Sequence, residues 1–248
     1  MRHSENSKKP CEQLTSRYPD ITTDDAYKIQ LYNIRAKIRE GQRVVGKKIG
    51  LTSAAMQAMA GIDQPDFGYL LSDMEVTDGK IPITRVMYPR IEGEIAFVLK
   101  KDLIGPNVTT LDVMLATDYV VAAFEVVDSR IKDFKVRFAD TVADNASSGL
   151  YVLGTKRVKI EDVDFAQVGM TVYKNGEMIN SGVGASALGN PAFCVAWLAN
   201  KMLEYGECLK AGEVILSGAL NAALEAKAND QFLVRFSKLG EVRVHFTE

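Results

Sequence analysis

Three glutamates carry the strongest chemical signal in the chain. In Arg90-Ile91-Glu92-Gly93-Glu94-Ile95-Ala96-Phe97-Val98-Leu99, strand-like alternation puts Glu92 and Glu94 on one face with Ala96 and Val98, and Ile91, Ile95, Phe97 and Leu99 on the other. Two carboxylates then project the same way, roughly 7 Å apart at Cα. Alone, such a pair reads as a solvated strand end. In the run from Tyr119 to Val127, however, Glu125 is the single charge in a stretch that reads as a buried strand. A carboxylate there must be paired, protonated or bound to a cation. An ion pair with Arg130 or Lys48 would satisfy it, and so would a metal. Three carboxylates with neither histidine nor thiolate form an all-oxygen set that suits magnesium or manganese.

Further candidates surround this set. Lys47 and Lys48 are adjacent in a strand-like run, so only one of them can face a site shared with the glutamates. Burial would depress the pKa of that lysine, whereas nearby carboxylates would raise it. Asp66, between Pro65 and Phe67, reads as part of a loop, either an active-site acid or a turn residue that caps backbone amides. Ser217 and Gly218 follow an apolar strand, where a hydroxyl and closely approaching amides could receive a substrate carboxylate; a plain strand-end turn is the alternative. Gly182, Gly184 and Gly189 have the wrong spacing for a dinucleotide loop, and no βαβ unit surrounds them.

The elements that must position these residues are mostly short strands. Runs at 44–49, 92–99, 119–127, 149–153, 168–174, 213–217, 231–236 and 241–246 are separated by Gly, Pro, Asp and Asn. They predict a largely antiparallel sandwich or roll. Asn175-Gly176 predicts a tight hairpin turn. One helix should be capped by Thr22 or Thr23, carry Tyr27, Leu31, Ile34 and Ile38 on its apolar face and end near Gly41. A second should run from Asn190 and Pro191 towards Gly206, with Val195, Leu198, Ala199 and Met202 on its apolar face, and a shorter one should cover 110–118. The first ten residues are polar and predicted to be loose.

Composition narrows the function. The 248 residues can bury a large core, and 47% hydrophobic with 25% charged residues is ordinary globular usage. A net charge of −2 without a basic stripe argues against nucleic acid as the partner. No apolar run approaches the roughly 20 residues of a membrane span, and no signal-like apolar segment follows the N-terminal basic residues, so a cytoplasmic location is expected. Cys11, Cys194 and Cys208 are widely spaced, which fits reduced thiols. The only histidines, His3 and His245, lie near the termini, so a triad or a histidine metal site has no histidine from the body of the chain.

GKKIGLTS, DQPDFGYL, PRIEGEIAFVLKKDL, FEVVDSRIKDF, DTVADNASSG, GNPAFCVAWLANKM and GEVILSGAL, in that order, resemble the 2-hydroxypenta-2,4-dienoate hydratase family of the fumarylacetoacetate hydrolase superfamily. The resemblance covers the chain from about Leu14 to the end. It implies an α+β fold, a mixed, mainly antiparallel β-roll with a small N-terminal helical part, divided as a tail and helical part over 1–43 and a catalytic domain over 44–248. It also implies a homo-oligomer with magnesium or manganese held by Glu92, Glu94 and Glu125, Lys48 as the acid/base lysine, Asp66 as an active-site acid, and a substrate pocket near Ser147, Ser217 and Gly218. Residues 221–227 depart from the family's proline-containing loop.

The implied reaction is hydration of 2-hydroxypenta-2,4-dienoate to 4-hydroxy-2-oxopentanoate in the meta-cleavage catabolism of aromatic compounds. Its sister branch, 4-oxalocrotonate decarboxylase, shares the metal glutamates. Asp66 favours the hydratase, because water must be positioned by polar groups. A third reading is a non-catalytic scaffold subunit that associates with a partner enzyme of the same pathway; the complete set of acids argues against it. A carbon–carbon hydrolase would need a histidine-containing dyad that the chain does not supply.

Overall fold

In the computed structural model, residues 1–60 and 62–248 are described. Twelve strands and seven helices alternate irregularly along them. The strands are β1 (Val44–Gly50), β2 (Asp66–Leu71), β3 (Lys80–Pro82), β4 (Arg90–Leu99), β5 (Thr117–Val127), β6 (Ser148–Leu153), β7 (Gly169–Lys174), β8 (Glu177–Val183), β9 (Val214–Leu216), β10 (Leu224–Glu225), β11 (Gln231–Phe236) and β12 (Gly240–Thr247). The helices are α1 (Arg2–Ser7), α2 (Leu14–Arg17), α3 (Thr23–Arg39), α4 (Ala54–Ala60), α5 (Thr110–Ala116), α6 (Phe138–Ala143) and α7 (Pro191–Leu203).

Two sheets result. The first is ordered β2-β1-β9-β4-β5-β6, with β10 also paired to β4, and the second is ordered β3-β12-β11-β7-β8. Most pairings are antiparallel; β1 with β9 and β12 with β3 are parallel. This is the mixed, mainly antiparallel architecture expected from the spacing of the strand-like runs.

The central ribbon of β4 and β5 is long and nearly all buried because both strands are rich in Val, Ile, Ala and Phe. One face of β4 presents Ile91, Gly93, Ile95 and Phe97 to the second sheet. A side chain at Gly93 would run into Met170 and Val234, and the Phe97 ring packs tilted on that of Phe165 with centroids 5.0 Å apart. The opposite face of β4 carries the glutamates. Buried Cys194 of α7 lies close to it: burial, and then the charge of Glu94, push the Cys194 thiol up.

Local signals account for the helix limits. The Thr22 hydroxyl accepts from Asp25 N at 3.1 Å while Asp25 reaches back to Thr22, a reciprocal cap for α3. Asn190 caps α7, with Pro191 in its first turn. Asn175 and Gly176 take φ values of 53° and 90° in the hairpin joining β7 to β8.

Three local expectations change. Asp66 opens β2 rather than sitting in a loop, because pairing with β1 organises a stretch that has no strong strand signal of its own. The first ten residues are not loose: α1 is tied down by Arg2–Glu40 and Lys37–Glu5 ion pairs. The buried face of α3 consists of Ala26, Tyr27, Gln30, Ile34 and Ala36, while Ile38 is exposed. Among the described residues, no helix is long and apolar enough to cross a membrane.

Candidate metal centre

Register brings the glutamates together. Glu92 stands directly opposite Glu125 in the antiparallel β4–β5 pair, and opposed residues share a face. Glu94, two residues along, shares that face. One carboxylate oxygen from each lies within 4.8 Å of the others. Glu94 and Glu125 are completely buried. Glu94 Oε1 and Glu125 Oε2 have no partner, and Glu125 Oε1 has only an ammonium at ion-pair distance, an arrangement that buried carboxylates do not sustain without further compensation.

The lysine is delivered across three strands. Lys48 pairs with Leu216 of β9, and Leu216 pairs with Ala96 of β4, on the glutamate side. Its Nζ is 3.3 Å from Glu125 Oε1. Arg130, the other candidate partner for Glu125, is instead held by Asp144 and by the Ser148 carbonyl. Lys47 points the other way and closes an ion pair with Glu213 at 2.6 Å.

Asp66 joins from β2, paired with Gly50 of β1. A Cβ at Gly50 would lie 2.2 Å from Asp66 Oδ1 and 3.1 Å from Lys48 Nζ, so the bare glycine leaves room for both side chains on the same side of β1. Asp66 is buried and its Oδ1 is unpartnered.

The backbone completes the floor. Gly218 N donates to Glu94 Oε2 at 2.8 Å, Ser217 N donates to the Ile95 carbonyl, and Leu220 N donates to the Gly93 carbonyl. Gly218 has φ of 103° and abuts Thr52, so only glycine fits there without strain. The Ser217 hydroxyl is buried and unpartnered. Asn221 Oδ1 accepts from Gly93 N at 2.8 Å, pinning the residue between two of the acids.

Ser147 differs from the other candidates. It is buried, but its hydroxyl meets Thr141 at 3.1 Å. It ends the segment Asn145-Ala146-Ser147, whose φ values are 57°, 50° and 53°. A left-handed residue other than glycine costs of order 1 kcal/mol, so three in succession require strong support from their surroundings. The segment lies against β2, where a Cβ at Gly68 would come within 2.3 Å of the Asn145 carbonyl.

Four carboxylates thus face one ammonium. Burial, then repulsion from Glu125, push Glu92 up to about 7. Burial, then Glu125 and Glu92, raise Glu94 well above the ordinary range. Burial raises Glu125 and Asp66 too, although Lys48 opposes the shift in both. Burial acts to lower Lys48, but Glu125, Asp66, Glu92 and Glu94 outweigh it and the net shift is upward. The carboxylates therefore decide between the two influences weighed for this lysine. The excess of buried acid, all oxygen and partly unpartnered, fits a hard divalent cation. His245 lies on β12 in the second sheet and His3 on α1, so neither belongs to the group.

Several contributors to the geometry are not legible as functional residues in the sequence: Gly50, Thr52 and Asn221 become meaningful only through non-local pairing.

A family model described as "Fumarylacetoacetate (FAA) hydrolase C-terminal" matches residues 32–247. The chain is 47% identical to 2-hydroxyhexa-2,4-dienoate hydratase of Comamonas testosteroni, over 95% of this chain and 90% of that protein. It is 46% identical to 2-keto-4-pentenoate hydratase of Paraburkholderia xenovorans, over 97% and 90%. Its fold is similar to that of 4-oxalocrotonate decarboxylase from Pseudomonas putida G7, solved in complex with magnesium and adipate, with a TM-score of 0.96, 38% identity, and coverage of 99% of this chain and 94% of that one.

Proposed function

The chain belongs to the fumarylacetoacetate hydrolase family, and on that basis we propose that it is a hydro-lyase that adds water to 2-hydroxypenta-2,4-dienoate, giving 4-hydroxy-2-oxopentanoate. The carrying observation is the convergence of Glu92, Glu94 and Glu125 on one face with Lys48 beside Glu125 and Asp66 nearby across Gly50. It supplies a polar acid/base pair next to an oxygen-rich cation site, and relatives named as hydratases at 46–47% identity support the reading.

Glu92, Glu94 and Glu125 are the residues to hold magnesium or manganese, which when bound supplies Lewis acidity towards the substrate's carboxylate and 2-oxygen. Ketonisation moves a proton from the 2-hydroxyl to C5, leaving a conjugated 2-oxo-3-enoate. Water then contributes hydroxyl to C4 and a proton to C3. Lys48 Nζ, kept protonated by its acidic surroundings, can donate a proton or a hydrogen bond to developing negative charge. Asp66, whose carboxyl is raised by burial, can exchange a proton with the incoming water. The unpartnered Ser217 hydroxyl is the group to orient the substrate from the end of β9, while Gly218 holds Glu94 through its amide and leaves room for close approach; Ser147 is assigned to the same pocket as part of the proposal.

A decarboxylase acting on 4-oxalocrotonate is the second reading, favoured by the likeness to the magnesium-containing decarboxylase structure. A scaffold subunit has no use for unpartnered buried carboxylates. A homo-oligomer is part of the proposal: Ile104, Leu111, Leu115 and Leu203, on and beside α5 and α7, are 41–62% exposed and offer apolar surface for a second copy to cover. Association with a partner enzyme of the same pathway extends it.

The test mixes the purified protein, magnesium and 2-hydroxypentadienoate, follows loss of the dienol absorbance and weighs the product. A gain of one water supports the hydratase. No reaction with the dienoate, together with carbon dioxide release from 4-oxalocrotonate, replaces it with the decarboxylase.

A further inference from the structure

β2 is an edge strand that carries Asp66 as its first residue. Its inner edge pairs with β1, but among the described residues no strand lies along its outer edge. Strand ends and free edges are the parts of a sheet that open most readily, so an acid at such a position needs additional restraint to keep its place.

Two side-chain carboxamides supply it. Gln30 Nε2 donates to the Phe67 carbonyl at 2.9 Å. Asn145 accepts from Tyr69 N at 2.8 Å and donates to the Tyr69 carbonyl at 2.9 Å, as a residue of a neighbouring strand would. Phe67 and Tyr69 alternate along β2, so these are the backbone groups turned away from β1. Gln30 is completely buried and gives its second amide hydrogen to the Val142 carbonyl of α6 at 2.9 Å. From α6 the chain runs directly into the left-handed segment that begins at Asn145 and ends at Ser147. Tyr27, one helical turn before Gln30, stacks on Phe67 with ring centroids 4.5 Å apart.

We propose that Gln30 and Asn145 are positioning residues for the reaction: their carboxamides replace the missing neighbour strand along β2 and hold Asp66 in its place on the Lys48 side of Gly50. The N-terminal helical part thereby helps to complete the active site through the backbone of β2. The inference rests on the role given above to Asp66.

The test compares Gln30→Leu, Asn145→Gly and Asp66→Asn with the unaltered protein. It measures kcat and KM for dienoate hydration, Mn2+ affinity by electron paramagnetic resonance, and deuterium exchange over residues 66–71. Gln30→Leu should lower kcat by about 30- to 100-fold, the scale expected of an ångström-sized displacement of a catalytic group. Its KM and Mn2+ affinity should stay within about 3-fold, while exchange over 66–71 accelerates.

Asn145→Gly should behave alike, because glycine accepts the left-handed backbone but cannot pair with Tyr69. Full kcat in Asn145→Gly would show that Asn145 supplies only backbone conformation, and would overturn its role; this variant also serves as the independent check if Gln30→Leu does not fold. Unchanged kcat in Gln30→Leu, beside an impaired Asp66→Asn, overturns the positioning role and leaves the function intact. Parallel losses of kcat and Mn2+ affinity indicate general loosening and also overturn it. Full activity in Asp66→Asn overturns the assignment of Asp66, and this inference with it.

Discussion

Lys47 and Lys48 are neighbours on β1, almost equally buried, and they face opposite worlds. Lys47 meets one carboxylate, Glu213, through contacts of 2.6 and 2.7 Å to both oxygens, and Glu213 also accepts from Lys210 N. Charge and hydrogen bonding balance there. Lys48 lies in the field of four carboxylates but pairs with only one of them, Glu125, at 3.3 Å, and acid oxygens are left without partners. Burial is common to both sides, so burial is not what distinguishes a site. The distinguishing property is imbalance: a closed pair fastens the fold, whereas an excess of buried acid calls for a cation and a substrate.

Substitutions on the two sides can break or sharpen this contrast. Glu125→Ala should have the largest effect, abolishing metal-dependent turnover and Mn2+ binding while circular dichroism shows the fold retained; full activity in that variant removes the metal assignment. Lys48→Ala should cut kcat by about 10²- to 10⁴-fold, the range for loss of a proton-transfer group, with much less change in Mn2+ affinity. Equal activity would take Lys48 out of the mechanism.

Lys47→Met should lower stability by about 3–5 kcal/mol, because it strands buried Glu213, yet leave kcat per folded molecule within about 3-fold, as expected when no group at the reacting centre is displaced. Urea unfolding and active-fraction titration separate the two quantities. Replacing Glu213 by Leu in the same protein should recover most of the loss. A fall in kcat as large as that of Lys48→Ala would mean that the two faces are not functionally separate.

The smallest effect is expected far from both lysines. Thr22→Ala should cost about 1 kcal/mol by removing a helix cap, without altering kcat. The Thr22 hydroxyl and amide hold Asp25 below its ordinary value. That contribution is present above the unfolded-state pKa of Asp25 and is lost as pH falls through the folded one, so the gap between Thr22→Ala and the unaltered protein should narrow in acid.

The two adjacent lysines also show how far the residues could be read in isolation. Alternation required them to diverge, but which one faced the glutamates came from family resemblance, because alternation is the same in either phase. Asp66 was legible as a candidate but not as a strand residue, since β2 draws its order from β1 on one edge and from Gln30 and Asn145 on the other. Ile38 fitted the helical spacing yet is exposed, while Gln30 is buried; spacing indicates which residues share a face, and neighbouring elements determine how far each is covered.

What the sequence determined by itself was short in range: the common face of Glu92 and Glu94, the divergence of Lys47 and Lys48, the Thr22 and Asn190 caps, and the Asn175-Gly176 turn. Each follows from backbone periodicity or from a side chain reaching its own neighbours, so no distant partner is needed. Only the tertiary structure decided that Glu125 stands opposite Glu92, that β9 carries the glutamate face across to Lys48, and that two carboxamides edge the strand of Asp66. These are questions of register between segments far apart in the chain, settled by what the shared core can bury.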